Sequence, residues 1–154
     1  MSEGVRRRAT AADLAPITAL DARCFGNPWS EEIYRQELER SLSRLMVLEA
    51  DGRIVGLSCT WVVGDEAHLL RIATVPELRR RGLGRELLRA AIDDAIAAGC
   101  AIMLLEVAAA NEPARALYEA FGFEELARRK GYYKRPPDDA VVMQRRLRAR
   151  DMPA

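Results

Sequence analysis

The stretch that decides the fold runs from Leu69 to Ala98 and reads LLRIATVPELRRRGLGRELLRAAIDDAIAA. An apolar, strand-like run leads into a basic glycine turn at residues 79–84, RRRGLG. After the turn, apolar residues recur three and four positions apart, which is the period of a helix with one buried face. They are Leu83, Leu87, Leu88, Ala91, Ile92, Ala95 and Ile96. The stretch therefore predicts a β-strand, a tight turn and a helix.

The turn has the chemistry of an anion site. Gly82 and Gly84 lack the Cβ atoms that would hold a ligand away from the first free N–H groups of the helix. The helix dipole and three arginines add positive charge, which favours a phosphorylated ligand such as a pyrophosphate. A P-loop is excluded because Arg85 and Glu86 follow the last glycine, and a dinucleotide fingerprint is excluded because Leu87 stands where it needs a third glycine. A solvated basic turn is the alternative interpretation.

The composition is that of a water-soluble globular domain. A chain of 154 residues is the size of one domain, and we expect residues 1–154 to form a single one. Hydrophobic residues make up 49% and charged residues 31%, and no apolar run approaches the roughly 18 residues of a membrane span. The first ten residues, MSEGVRRRAT, lack the apolar segment of a signal peptide. We expect a cytoplasmic protein that does not bind membranes, as a monomer or a weak dimer.

Charge and cysteine usage exclude several classes of function. A net charge of +1 argues against a broad basic surface for nucleic acid, although arginines cluster at 79–81, 128–129 and 145–150. Three widely spaced cysteines suggest neither a disulfide framework nor a metal site, and none matches the position of a nucleophile. With His68 as the single histidine, we expect no metal cofactor.

The segment before the glycine turn predicts a short strand, two helices and a hairpin. Val5–Arg8 is the first strand, and the segment from Thr10 to Asp13 resembles a capping box that opens a helix to Cys24. Ser30 caps a second helix to about Arg40. Strands 45–50 and 53–63 flank Asp-Gly at 51–52, a strong hairpin signal. In the second of these strands Val55, Leu57, Cys59, Trp61 and Val63 share one face, which we expect to be half buried or better.

The segment after the central helix completes a mixed sheet. Gly99 is a helix stop signal, and the apolar run from Ile102 to Val107 predicts a strand that lies parallel to the strand before the turn. A short helix follows from Asn111 to Phe121. Strands 123–133 and 140–147 close the chain, with Pro136 and Pro137 assigned to the connection 134–139. The prediction is one α/β domain of order β-α-α-β-β-β-α-β-α-β-β.

Three residues in this second half could carry chemistry. Glu106 lies in the apolar strand, where it is either a general base whose pKa partial burial can raise or a hydrated residue at a strand end. Tyr118 has Ala114 and Phe121 at helical spacing, which is ordinary core spacing. Asn111 is an N-cap residue before it is anything else.

Taken together, these segments resemble the GNAT family of N-acetyltransferases. Residues 79–84 match its acetyl-CoA motif R/Q-x-x-G-x-G/A, and LLEVAAANEPARALYEAFGF at 104–123 resembles the second half of the GNAT fold. Further matches lie at Asn27-Pro28-Trp29-Ser30, at 72–88, and at 131–133 with 139–140. The resemblance implies a mixed, mostly antiparallel seven-stranded sheet with a central parallel pair, flanked by about four helices.

The resemblance also implies roles for particular residues. Glu106 matches the general base, Tyr118 the acid that protonates the departing thiolate, and Trp29, Tyr132 and Tyr133 surround the acceptor channel. The implied contacts of acetyl-CoA are Ile72, Ala73 and Thr74 for the pantetheine arm, Arg79, Arg80, Arg81, Gly82, Leu83, Gly84 and Arg85 for the pyrophosphate, and Asn111. At the position of Arg79 the members that this chain most resembles often have glutamine, and arginine is allowed in the wider family pattern.

The implied activity is direct attack of an amine on the thioester of acetyl-CoA in a ternary complex. The expected acceptor is a protein N-terminal α-amine, most specifically the N-terminal alanine of a small-subunit ribosomal protein. Alternatives are a lysine or small-molecule amine as acceptor, and a CoA-binding module without catalysis. Because Glu106 and Tyr118 are both present, an enzyme is favoured over a binding module.

Overall fold

Seven strands form one mixed sheet in the order β1-β2-β3-β4-β5-β7-β6. The structure is a computed structural model and describes residues 4–79, 81–134 and 136–147. The strands are β1 (Val5–Arg8), β2 (Ser43–Ala50), β3 (Arg53–Val63), β4 (Glu66–Thr74), β5 (Ile102–Ala108), β6 (Glu124–Lys134) and β7 (Pro137–Arg146), and the helices are α1 (Leu14–Cys24), α2 (Glu31–Glu39), α3 (Leu83–Ala97) and α4 (Glu112–Ala120). The predicted element order and the predicted sheet are confirmed.

Local capping signals place the first two helices. The backbone N–H of Thr10 donates to Asp13 Oδ2 at 2.7 Å, and a single 3₁₀ turn at residues 11–13 precedes α1. Ser30 Oγ accepts from the backbone N–H of Ile33 at 3.2 Å at the start of α2. Both helices therefore begin where their polar N-terminal residues can satisfy otherwise unpaired N–H groups. None of the helices in the described part of the chain is long and apolar enough to span a membrane.

The hairpin of β2 and β3 turns at Asp51 and Gly52. Their φ angles of 52° and 79° are both in the left-handed region, as a two-residue hairpin turn of this kind requires. Val55, Leu57 and Cys59 are at most 1% exposed, as expected for the buried face of β3. Val63 was expected on the same face but is 49% exposed, because it ends the strand beyond a register shift at Cys59/Thr60.

The parallel pairing between β4 and β5 is short. It extends over four residue pairs, from Glu66↔Ile102 to Leu69↔Leu105. Beyond these pairs β4 stays paired with β3 as far as Thr74, and β5 stays paired with β7 as far as Ala108. The two central strands therefore separate towards their carboxyl ends, and the sheet opens there.

Helix α3 joins the two hydrophobic clusters of the core. Leu83 and Leu87 belong to the cluster beneath β1–β4, whereas Leu88 and the residues after it pack against β5 and β7. Six of the seven apolar positions predicted for its inner face are buried, and Ile96 is partly buried. The helix that follows the glycine turn is thus held against both halves of the sheet.

The connection between the last two strands is shorter than the sequence suggested. Strand β7 begins at Pro137, which pairs with Lys134 of β6. The predicted connection 134–139 is therefore wrong in its bounds, because proline is tolerated as the first residue of a strand. Strand β6 is the edge of the sheet, and ten of its eleven residues are exposed.

A bidentate ion pair near the first strand provides a test of the fold. Arg7 donates to both carboxylate oxygens of Asp13, at 2.7 and 3.0 Å, and this pairing lowers the pKa of Asp13 to about 2. Because the pKa of Asp13 is lower in the folded than in the unfolded state, the ion pair stabilises the folded state at pH values above the unfolded-state pKa near 4. That stabilisation is lost as the pH falls through about 2. Asp13→Asn should therefore cost about 2 kcal/mol of unfolding free energy at pH 7.

The measurement is urea denaturation of both proteins between pH 7 and pH 2. The gap between wild type and Asp13→Asn should close as the pH falls from about 4 towards about 2. Asp93→Asn on α3 is the matched control, because Asp93 makes no ion pair among the described residues. A gap of constant size across this range would show that the ion pair contributes nothing.

Candidate active site

The opening between β4 and β5 leaves a free strand edge on each side. On β4 the residues Ile72, Ala73 and Thr74 pair with β3 through one edge, and β5 no longer covers the other. A free strand edge presents N–H and C=O groups that an extended ligand can take up as another strand would. The family resemblance implied that these same residues contact the pantetheine arm of acetyl-CoA.

The glycine turn lies at the carboxyl end of β4, beside this opening. Gly82 has φ +80° and caps α3, and the first bond within the helix runs from the N–H of Glu86 to the carbonyl of Gly82 at 3.0 Å. The N–H groups of Leu83, Gly84 and Arg85 precede that bond, and no side chain caps them. A Cβ on Gly84 would meet only Leu117 Cδ2, at 3.9 Å. The space above the helix start is therefore open to an anion.

Positive charge surrounds this helix start. Arg79, Arg81 and Arg85 are exposed, and none of them has an acidic partner at ion-pair distance in the described residues. The guanidinium of Arg85 lies 5.1 Å from the centre of the Phe121 ring at the end of α4. Arg80, which was also assigned to the pyrophosphate, lies outside the described residues. The described arginines and free N–H groups form one surface suited to phosphate.

Glu106 stands at the mouth of the same opening. It follows Leu105, the last β5 residue paired with β4, and 33% of its side chain is exposed. Its Oε1 lies 3.5 Å from Arg129 Nη2 on β6. Glu106 is thus a partly buried carboxylate with a cationic partner. The general-base interpretation and the strand-end interpretation are both compatible with this position.

Tyr118 is buried against the core but keeps its proton. Its ring is 8% exposed and packs edge-on against Phe123, with the ring centres 5.9 Å apart. Burial, with a smaller contribution from Tyr133, raises the pKa of Tyr118 to about 12. The phenol is therefore protonated at neutral pH and available as a proton donor. The core interpretation and the functional interpretation of Tyr118 are both compatible with this position.

Two tyrosines on β6, which were expected to surround the acceptor, line a surface cavity. Burial raises the pKa of Tyr133, and the negative charge of Glu106 raises it further. Tyr132 meets Tyr133 edge-on at 5.2 Å between ring centres. Together with Asn27 and Lys134 they line an open cavity of about 450 Å³. The expected acceptor residues Tyr132 and Tyr133 therefore share one cavity.

Trp29, also expected at the acceptor channel, is not among the described residues that line this cavity, and it makes contacts that the sequence did not reveal. Its backbone N–H donates to Asp21 Oδ1 at 2.8 Å, and its ring lies 5.2 Å from that of Tyr34. Arg71 on β4 places its guanidinium carbon 4.7 Å from the centre of the Trp29 ring. Asp21 and Arg71 are 50 positions apart in the sequence, and neither lies in a recognisable motif. No local sequence signal could therefore have predicted their contact.

Asn111 has a structural role in the described residues. Its Oδ1 accepts from the backbone N–H of Ala114 at 3.2 Å and so caps α4, as the sequence predicted. Capping occupies the side-chain carbonyl and leaves the amide N–H groups for other contacts. The described residues contain no group of three His, Cys, Asp or Glu side chains placed to hold a metal ion.

The separating parallel pair and the glycine turn that opens α3 are the features expected of a GNAT fold. The model of the acetyltransferase (GNAT) family matches residues 14–123, more than half of the chain. The chain therefore belongs to the GNAT acetyltransferase family, whose members use acetyl-CoA. The predicted family is confirmed.

Particular relatives share most of the chain. The ribosomal protein bS18-alanine N-acetyltransferase of Salmonella typhimurium is 39% identical over 137 residues, which cover 87% of this chain and 91% of the relative. The crystal structure of the ribosomal-protein-S18-alanine N-acetyltransferase from Escherichia coli has a TM-score of 0.88 at 33% identity and covers 98% of this chain and 96% of that one. Naa20 of Chaetomium thermophilum, solved with a bisubstrate analogue, has a TM-score of 0.82 at 25% identity, with 93% and 86% covered.

Proposed function

We propose that this protein acetylates the N-terminal α-amine of a protein, namely the N-terminal alanine of ribosomal protein S18. The observation that carries the proposal is the 39% identity over 87% of the chain to an enzyme named for that reaction. The open cavity lined by Tyr132 and Tyr133 supports it, because it offers space for an extended chain end and the charge of Glu106 acts on Tyr133.

Acetyl-CoA is the proposed acetyl donor. In this proposal the β4 edge at residues 72–74 takes the pantetheine arm through backbone hydrogen bonds. The free N–H groups of Leu83, Gly84 and Arg85 take the pyrophosphate, with Arg79–Arg81 supplying charge. Asn111 contributes through its amide N–H groups, which the cap leaves free. Bound acetyl-CoA supplies an activated acyl group, and the remaining chemistry belongs to the side chains of this chain.

Glu106 is the proposed general base. The acceptor must lose a proton before its nitrogen can form a bond to the acyl carbon, and Glu106 accepts that proton directly or through water. An α-amine has a pKa near 8, so roughly a tenth of it is neutral at pH 7, compared with about one part in a few thousand of a lysine amine with a pKa near 10.4. A carboxylate such as Glu106 is a sufficient base to deprotonate the α-amine and a less effective one for the lysine amine.

Tyr118 is the proposed general acid. As the C–N bond forms, the C–S bond breaks and the sulfur leaves as a thiolate that needs a proton. The Tyr118 phenol, whose pKa is raised to about 12, still carries its proton at neutral pH and can give it to the sulfur. The proton taken by Glu106 and the proton given by Tyr118 balance over one turnover.

The first prediction concerns the glycine turn. Gly84→Val should fold, because a Cβ at this position meets only Leu117 Cδ2, at 3.9 Å, but its side chain should fill the space where phosphate approaches the helix start. Wild type should show a rise in Tm with CoA, since a ligand bound only by the folded state stabilises it, and Gly84→Val should lose that rise. Differential scanning fluorimetry measures both.

Ala97→Val is the matched control for Gly84→Val. Ala97 lies in the last turn of α3, is exposed, and carries the same β-branched side chain after substitution. The Ala97→Val protein should be slightly less stable than wild type and should keep the full CoA-induced rise in Tm. A Gly84→Val protein with a normal CoA shift would contradict the assignment of this turn to phosphate.

The second prediction concerns the two proton-transfer residues. Glu106→Gln and Tyr118→Phe should each lower kcat by about 10²-fold or more, with the CoA-induced rise in Tm kept. Glu106→Gln should also flatten the rise of kcat with pH, because the base is lost. Tyr118→Phe should keep its Tm, since the ring still packs on Phe123 and its hydroxyl makes no hydrogen bond in the described residues.

Steady-state kinetics from pH 6 to pH 9 give these values. Glu125→Gln on β6 is the control for loss of a carboxylate, because Glu125 pairs with Arg128 on the exposed edge strand. Activity near wild type in both Glu106→Gln and Tyr118→Phe would refute the assigned roles. A loss of Tm without a kinetic defect in Tyr118→Phe would support the core interpretation alone.

The third prediction identifies the acceptor. A hexapeptide that begins with a free alanine should be acetylated at its α-amine, and the same peptide with a blocked N-terminus and an internal lysine should not. Mass spectrometry of both peptides after incubation with acetyl-CoA decides the site. If the blocked lysine peptide is the better substrate, the N-terminal assignment fails, and the family assignment stands.

A further inference from the structure

Arg71 links the acceptor cavity to the buried interior. It lies two positions after Leu69, the last residue of β4 paired with β5, and 11% of its side chain is exposed. Its Nη2 donates to the backbone carbonyl of Asn27 at 2.7 Å. Its guanidinium carbon is 4.0 Å from the centre of the Phe25 ring and 4.7 Å from that of Trp29. Arg71 thus contacts the segment between α1 and α2 at three residues.

The charge that holds Arg71 in this place is Asp21. Asp21 is fully buried, and its Oδ2 lies 3.4 Å from Arg71 Nη1. It also accepts hydrogen bonds from the backbone N–H of Trp29 and from the hydroxyl of Tyr34. A buried carboxylate is stable only when its partners are in place, so these contacts allow few alternative arrangements. The segment 25–29 is therefore held to β4 by Arg71, which contacts Phe25, Asn27 and Trp29 directly and is itself held by the buried Asp21.

This segment forms one side of the acceptor cavity. Asn27, whose carbonyl Arg71 holds, lines the cavity on that side. The other side consists of Tyr132, Tyr133 and Lys134, which belong to β6. Strand β6 is joined to β5 through β7, whereas Arg71 is on β4. The width of the cavity thus depends on where Arg71 holds Asn27 relative to strands β5, β7 and β6.

We propose that Arg71 is a positioning residue for the acceptor: through Asp21, Phe25 and Trp29 it fixes the Asn27 side of the cavity. The inference rests on the proposed function, in which this cavity takes the acceptor chain end. Lysine cannot replace arginine here. A planar guanidinium stacks on an aromatic ring while donating in two directions, and an ammonium group does not.

Arg71→Lys is the decisive variant. It keeps a positive charge opposite the buried Asp21, so the protein should fold, but it loses the stacking and the second donor. The KM for the alanine hexapeptide should rise on the order of tenfold. The KM for acetyl-CoA and the CoA-induced rise in Tm should stay as in wild type, because the glycine turn is untouched. A general loss of stability would not separate the two KM values in this way.

Arg6→Lys is the matched control. Arg6 is also a partly buried arginine on a strand and pairs with Asp94 at 2.7 Å, but its partner is in α3, away from the cavity. Both KM values should be unchanged in this variant. An unchanged peptide KM in Arg71→Lys, or an equal rise in both KM values, would overturn the proposal.

A second measurement does not depend on acetylation. The chain has two tryptophans, Trp29 and Trp61, so Trp61→Phe leaves Trp29 as the single indole reporter. In that background Arg71→Lys should raise the acrylamide quenching of Trp29 fluorescence about twofold, because the stacked guanidinium no longer covers the ring. Unchanged quenching would show that Arg71 does not hold this segment and would overturn the proposal.

The two measurements separate failure of this inference from failure of the proposed function. If wild type acetylates no peptide, the proposed function fails, and the quenching result still decides whether Arg71 holds the segment. If the peptide is acetylated and quenching rises while the peptide KM stays constant, the segment has moved without affecting the acceptor. That outcome would overturn the positioning role and leave the proposed function standing.

Discussion

The site depends on the short parallel contact between β4 and β5. Four residue pairs hold the two strands together, and then each strand continues with a different neighbour. A longer contact would satisfy the β4 edge at residues 72–74 and would bring Glu106 into pairing with β4. A shorter one would leave α3 as the main link between the two halves of the core. The separation of these strands thus supplies both a free backbone edge and an accessible carboxylate.

The two sides of the opening have different electrostatic character. Around the start of α3, free N–H groups and the exposed side chains of Arg79, Arg81 and Arg85 present positive charge to an anionic ligand. On the side proposed for the acceptor, Glu106 presents a carboxylate, and Arg129 already lies beside it. An incoming ammonium group would compete with Arg129 for the same carboxylate. Because exposed ion pairs contribute little, that exchange costs little.

Local signals predicted most of the fold, and long-range contacts limited the rest. The Asp51-Gly52 hairpin, the Ser30 cap and the period of α3 are each encoded within a few residues, and all were confirmed. The start of β7 at Pro137 was missed because strand pairing overrode the usual preference of proline for a turn. The type and place of Glu106 were predicted, but its exposure depends on where β4 leaves β5. The contact of Asp21 with Arg71 could not be predicted, because the two residues meet only when the chain has folded.

The order of the strands also has a consequence for synthesis of the chain. Strand β5 ends at Ala108, and its second neighbour, β7, does not begin until Pro137, after α4 and β6. During synthesis from the N-terminus, β2–β4 can form a meander of local pairings, but β5 has an unpaired edge until β7 is made. An apolar strand with an open edge is a template for intermolecular association. Nascent chains arrested between these two strands are therefore the species most in need of chaperone protection.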